Sequence, residues 1–150
     1  MTGSVAEPHI VSGGISVDDR GMVAFHNSID LKNWRRFYFV SNHETGFVRA
    51  WHGHKVESKL AIPISGNFLL ACVQIDNWEN PDNSVQPTTF VLSATSPRAL
   101  YIPAGFANGF KSLSPNSTIM FLSSSALDDS LSDDFRYPWN YWNPWESNFR

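Results

Sequence analysis

Short β-prone runs separated by turn signals fill most of this chain, and no segment carries a sustained helical period. Residues 21–25, 36–40, 45–53, 59–64, 67–75, 88–93, 99–102 and 118–123 read as strands rich in branched and aromatic side chains. Between them lie Asp18-Asp19-Arg20-Gly21, Ser65-Gly66-Asn67 and the polar loop 79–84, which supply the residues that turns require. Many short strands with regular turns predict an all-β sandwich or barrel, here a jelly roll. Eleven Phe, six Trp and four Tyr suit the pleated, half-buried surfaces of such a fold.

At 150 residues the chain is expected to form a single domain over 1–150. Residues 1–14 read as an N-terminal arm and 136–150 as an aromatic C-terminal segment, packed on the barrel or on a partner subunit. A net charge of -3 without a Lys/Arg run argues against nucleic acid as a partner. No apolar run approaches membrane-spanning length, and the N-terminus lacks a basic-then-apolar leader, so no membrane partner is expected. The lone Cys72 sits in an apolar run and has no internal disulfide partner, which fits a reducing compartment. The expected location is the cytoplasm.

His52 and His54 stand two apart, so on a strand they point to the same side. They fall within Gly46-x5-His52-x-His54-x4-Lys59-x6-Gly66, which resembles the first cupin motif, Gly-x5-His-x-His-x4-Glu-x6-Gly. Lys59 takes the place of the metal-binding glutamate, and a cation there repels a divalent metal. The stretch 101–110 resembles the second motif, with Asn108 where a metal-ligating histidine would stand. An amide is a poor substitute for imidazole at a transition metal. Glu57 is a conceivable rescue ligand, but it shares strand parity with Lys59 and would bring the ammonium along. The expectation is a cupin-type double-stranded β-helix with no bound metal and no cofactor.

Over about residues 15–142 the chain resembles the metal-free cupins that rearrange nucleotide-linked 4-keto-6-deoxy sugars. Tyr-Ile-Pro-Ala-Gly-Phe-Ala-Asn-Gly-Phe at 101–110, followed by Leu113-Ser114, is similar to the dTDP-4-dehydrorhamnose 3,5-epimerase pattern Trp-Ile-Pro-x-Gly-Phe-Ala-His-Gly-Phe-x-x-Leu-Ser. Arg36-Phe37-Tyr38-Phe39 and Arg49-Ala50-Trp51-His52-Gly53-His54-Lys55 look more like the sugar 3,4-ketoisomerases. The epimerase resemblance implies a tyrosine proton donor in the late strand, where this chain has Ser123. It also implies an aspartate paired with the histidine, for which Asp133 and Asp134 are approximate candidates.

A proton next to a ketone is acidic because its loss gives an enolate, so the chemistry needs a base and a positive group beside the oxyanion. His52 fits the base and Lys59 the oxyanion partner. His54 is the natural second proton carrier, with Tyr38 a possible helper. The resemblance implies substrate contacts at Arg49, Arg36, Asn108, Phe110 and Ser123, with arginine matched to phosphate. On an unbroken strand Arg49 has the opposite parity to His52, which places it at the surface or in a neighbouring subunit's site. The sequence therefore predicts an isomerase of the epimerase type acting on a nucleotide sugar, dTDP-linked, in carbohydrate biosynthesis. A ketoisomerase and a non-catalytic sugar-nucleotide-binding cupin are the alternatives. A homodimer is expected, because open sheet edges need cover.

Overall fold

The structure, a computed structural model, describes residues 6–146. Its strands are β1 (His9–Ser12), β2 (Gly14–Asp18), β3 (Gly21–Phe25), β4 (Arg36–Ser41), β5 (Val48–His54) and β6 (Lys59–Ser65). They continue as β7 (Asn67–Gln74), β8 (Thr88–Ser93), β9 (Arg98–Ile102), β10 (Phe106–Ser112), β11 (Thr118–Ser123) and β12 (Phe135–Arg136). One short helix, α1 (Leu127–Leu131), precedes β12. One antiparallel sheet has the order β1-β9-β6-β11-β4, the other β12-β5-β10-β7-β8, and β2 and β3 form a separate hairpin.

Alternation along each strand divides the apolar residues into two layers per sheet. Ala61, Leu100, Ile102, Ile119 and Phe121 of the first sheet meet Phe68, Leu70, Cys72, Leu92, Phe106 and Phe110 of the second in the central core. Burial pushes the Cys72 thiol up to about 12, so it is an inert core group. The other parity of the first sheet, Leu60, Ile62, Ala99 and Leu122, is covered by Val11, Ile29 and Trp34. On the outer face of the second sheet, Trp51, Ala71, Val73 and Ala107 are covered by Trp142 and Trp145. The aromatic C-terminal segment thus packs on its own barrel as far as residue 146, the rest of it lying outside the described residues. Trp51 donates its indole N–H to the carbonyls of Trp139 at 3.0 Å and Trp142 at 3.1 Å, and the Trp142 ring meets it edge-on while the Trp145 ring lies tilted against it.

The expected strands recur, with differences that have local causes. Gly46 has φ of 85°, so the run expected from residue 45 turns there and β5 begins at Val48. β1 lies inside the expected N-terminal arm and forms an edge of the first sheet, His9 opposite Tyr101. β10, which is not among the expected strands, takes in residues 106–110 of the second-motif stretch and lies between β5 and β7. Gly66 closes the β6–β7 turn at φ 74°, and a Cβ there would fall 1.9 Å from Ser117 Oγ.

Candidate active site

Strand register brings the motif residues together from both sheets. Arg36, Ser123 and Lys59 lie side by side across β4, β11 and β6, with Tyr38, Phe121 and Ala61 in the next row but one. On the facing sheet Asn108 pairs with His52 and Phe106 with His54. Between the sheets opens a cavity of about 250 Å³ lined by Tyr38, Arg49, His52, His54, Lys59, Asn108 and Phe110, with Ser130, Leu131, Asp134 and Arg136 along another side.

Arg49 is exposed, as its parity suggested, but it lies on the same side as His52. The β5–β10 register pairs His52 with Asn108 but Ala50 with Gly109, so Trp51 is an extra residue on β5. Such a bulge lets two successive residues face the same way. Ala50 and Trp51 both pack on the outer tryptophan layer, and Arg49 returns to the side of His52 and lines the cavity. Its Nε donates to Asn42 Oδ1 at 2.7 Å, at the exposed mouth. Gly109 accommodates the bulge, because a Cβ there would lie 2.5 Å from that of Ala50.

His52 is about one-third exposed, with Nδ1 3.9 Å from Asp134 Oδ1. Burial, then Lys59 and Arg136, push its pKa down to about 4, against the opposing pull of Asp134. It is therefore a neutral imidazole at neutral pH. The Asn108 amide donates to the His52 carbonyl at 3.2 Å and so holds the strand at that point. Lys59 is nearly buried, its ammonium 5.8 Å from the ring centres of both Tyr38 and Phe121. Tyr38 stacks on Phe121 at 5.5 Å.

Glu57 organises the floor. It stands in the turn between β5 and β6, fully buried, with Oε2 3.9 Å from Lys59 Nζ and 3.2 Å from His54 Nε2. Oε1 accepts from the Ser123 hydroxyl and, at 3.2 Å, from Arg36. Burial pushes the Glu57 carboxyl up, but Ser123, Lys59 and His54 outweigh it and hold it below its usual range. The Asp133 carboxylate accepts the backbone N–H groups of Lys55, Val56 and Glu57, clamping this turn to the C-terminal segment. Burial opposes its ionisation, and those three N–H groups more than compensate.

Two expected substrate contacts fall outside the cavity lining. Ser123 is wholly buried with its hydroxyl given to Glu57, so it offers nothing to a ligand. Arg36 is held by Glu57 and, at 2.9 Å, by Ser130, which anchors α1. Tyr137 and Tyr141 of the C-terminal segment give their hydroxyls to the carbonyls of Trp78 and Pro81. Tyr38 is the one tyrosine lining the cavity among the described residues. Of the two aspartates, Asp134 is the one beside the His52 ring, and Asp133 is structural. Arg136 and Leu131 were not expected at the site; β12 brings Arg136 opposite His52, a pairing 84 residues apart that carries no local signal. As for metal ligands, among the described residues no three His, Cys, Asp or Glu side chains converge in a metal-binding group.

Residues 7–138 match the family model described as dTDP-4-dehydrorhamnose 3,5-epimerase. A relative from Methanothermobacter thermautotrophicus, a dTDP-4-dehydrorhamnose 3,5-epimerase, is 32% identical over 113 residues, covering 70% of this chain and 60% of the relative. The chain thus spans less than two thirds of the length of that relative. Among solved structures, the dTDP-4-dehydrorhamnose 3,5-epimerase of Bacillus anthracis, with TDP and pyrophosphate bound, superposes with a TM-score of 0.73 at 23% identity, covering 89% of this chain and 79% of that one. A 3,4-ketoisomerase from Thermoanaerobacterium thermosaccharolyticum, a double mutant in complex with TDP, superposes with a TM-score of 0.68 at 17% identity, covering 93% and 94%. Both share this fold.

Proposed function

This chain belongs to the dTDP-4-dehydrorhamnose 3,5-epimerase family, and from that premise we propose that it is an isomerase of nucleotide-linked 4-keto-6-deoxyhexoses, dTDP-linked, working by proton transfer next to the ketone without a metal. The observation that carries this reading is the convergence of His52 and Lys59, from facing sheets, on one cavity that Arg49 also enters. His52, neutral at neutral pH, removes the proton from the carbon beside the ketone. The Lys59 ammonium, at the buried end of the cavity, stabilises the enolate oxygen where a fixed charge acts more strongly than in water. Arg49 and Arg136 supply cations for the diphosphate, and the bound anion in turn raises the basicity of His52. Phe110 and Asn108 shape the sugar pocket.

Inversion at a carbon also requires a proton delivered to the opposite face. Ser123 is sealed, and Tyr137 and Tyr141 are engaged elsewhere. Tyr38 is the remaining tyrosine hydroxyl at the cavity among the described residues, which supports epimerisation at one carbon over rapid double inversion. The 3,4-ketoisomerase reading is favoured by the front-half motif, in which Tyr38 and the two histidines all reach the cavity. Incubation with dTDP-4-keto-6-deoxyglucose in deuterated water tests the reading. Label at C3 with inversion supports single epimerisation, and migration of the ketone to C3 supports the ketoisomerase. Tight binding with no exchange moves the chain to the binding class.

We also propose a homodimer in the cytoplasm. Phe37 and Phe39 on edge strand β4, and Val17, Met22 and Val23 on the β2–β3 hairpin, leave large apolar side chains exposed that a second copy would cover. The buried free thiol of Cys72 fits a reducing compartment.

A further inference from the structure

His54 and Glu57 face each other in the cavity floor, and the proton transfer described above uses neither. Both are almost completely buried, at 5% and 2% exposure. The two ring nitrogens of His54 have different neighbours. Nδ1 lies 2.6 Å from the carbonyl oxygen of Asp133, which can only accept, so Nδ1 carries a hydrogen. Nε2 lies 3.2 Å from Glu57 Oε2 at ion-pair distance, and neither atom makes a hydrogen bond among the described residues, although Lys59 Nζ also stands 3.9 Å from Oε2.

Without a proton between them, a nitrogen lone pair would face a carboxylate lone pair in a dry site. Two buried acceptors would then be left unsatisfied, an arrangement that folded proteins avoid. One proton on that line satisfies both. The other oxygen of Glu57 already accepts from Ser123 and Arg36, which favours the ionised carboxylate and hence the protonated ring. Lys59 from β6, Arg36 from β4, His52 from β5 and the Asp133 turn all face the pair, with Asp134 and Arg136 of the C-terminal segment across the cavity. Burial, then Lys59, pull the His54 pKa below the ordinary histidine value, with the Asp133 carbonyl and Glu57 opposing them, so it is the facing geometry of two otherwise unpartnered atoms that argues for the proton.

We propose that His54 and Glu57 hold one proton between them as a buried imidazolium–carboxylate pair, which makes His54 a positioning residue and leaves His52 as the one imidazole free to act as base among the described residues of the cavity. The pair keeps Glu57 oriented toward Lys59 and removes the second proton carrier that ketoisomerisation would need. As a statement about the reaction this rests on the isomerase reading; as a statement about protonation it stands alone.

Long-range proton–nitrogen NMR of the full chain, labelled with nitrogen-15 in its histidine rings, tests it without substrate. At neutral pH the His54 signals should carry the imidazolium signature at both nitrogens, while His52 shows a neutral ring. Glu57→Gln should shift His54 Nε2 to the unprotonated range, and Glu57→Asp should restore part of the wild-type signature. With dTDP-4-keto-6-deoxyglucose, Glu57→Gln should lower kcat for deuterium exchange and leave KM little changed. A neutral His54 in the wild-type spectrum overturns the pair, and this result needs no variant to fold. An unchanged His54 signature in Glu57→Gln overturns it as well. An imidazolium His54 in a protein that exchanges no deuterium leaves the pair standing and removes the isomerase reading; active exchange with a neutral His54 does the reverse.

Discussion

Replacing Gly109 by alanine tests the bulge that turns Arg49 into the cavity. An added Cβ would lie 2.5 Å from the Ala50 Cβ, 3.2 Å from its Cα and 2.9 Å from Trp145 Cζ2. The first two atoms are fixed to a paired strand, and the third belongs to a buried indole, so none can yield as the end of a flexible side chain would. Overpacking of this kind costs about 1–3 kcal/mol. For a chain of this size that corresponds to a fall in Tm of about 2–12 °C. Urea unfolding followed by tryptophan fluorescence, with calorimetry of dTDP binding, reads both consequences. The midpoint should fall with little change in slope, and binding should weaken because relief of the clash moves β5 at Ala50, next to Arg49. Ala50→Gly removes the nearest contact, so Gly109→Ala with Ala50→Gly should lose less than the sum of the single changes. Unchanged stability and unchanged dTDP affinity in Gly109→Ala would refute the assignment of Arg49's direction to this bulge.

Lys59→Met should cost about 3 kcal/mol in kcat, as loss of an oxyanion partner does, with dTDP affinity nearly unchanged; steady-state kinetics beside calorimetry separate the two. For pH dependence, the working form of His52 is the neutral ring, so kcat/KM falls as pH drops through its pKa. Because burial, Lys59 and Arg136 push that value down to about 4, the acid limb should lie below the 6.5 of an ordinary histidine. Lys59→Met should move the limb upward by removing a neighbouring cation, and a limb already above that ordinary value in the wild type would contradict this. The same depressed pKa means that the unfolded chain binds more protons between about 4 and 6.5, so stability should decline as pH falls through that window. Light scattering at micromolar concentration should give the mass of a dimer, and a monomer there would contradict the proposed cover for Phe37 and Phe39.

The strands and the histidine pair were legible because both depend on local periodicity. Residues 21–25 and 88–93 are strands with the expected bounds, and His52 and His54 do face one side. Arg49 was not legible, since parity fails wherever a bulge intervenes and the small partner it requires, Gly109, lies on another strand. The pattern match puts Ser123 on the late strand, where it lies, but does not show its environment: Glu57, 66 residues away, takes the hydroxyl. Arg36 similarly carries a charge that reads as ligand-binding but neutralises a buried carboxylate. Asp134 and Arg136 reach the cavity only because β12 pairs with β5, a two-residue ladder too short for any periodic signal. The Trp-rich tail showed its aromatic character in sequence, and its partner, Trp51, emerged only with the bulge that turns it outward.

The most direct test of the central claim is deuterium incorporation into dTDP-4-keto-6-deoxyglucose by the wild-type protein and by His52→Asn, each assayed for bound metal and for dTDP affinity. The account predicts wash-in next to the ketone by metal-free wild-type protein and its loss in His52→Asn, with nucleotide affinity kept. Wild-type rates in His52→Asn, or exchange that depends on a stoichiometric metal ion, would contradict it.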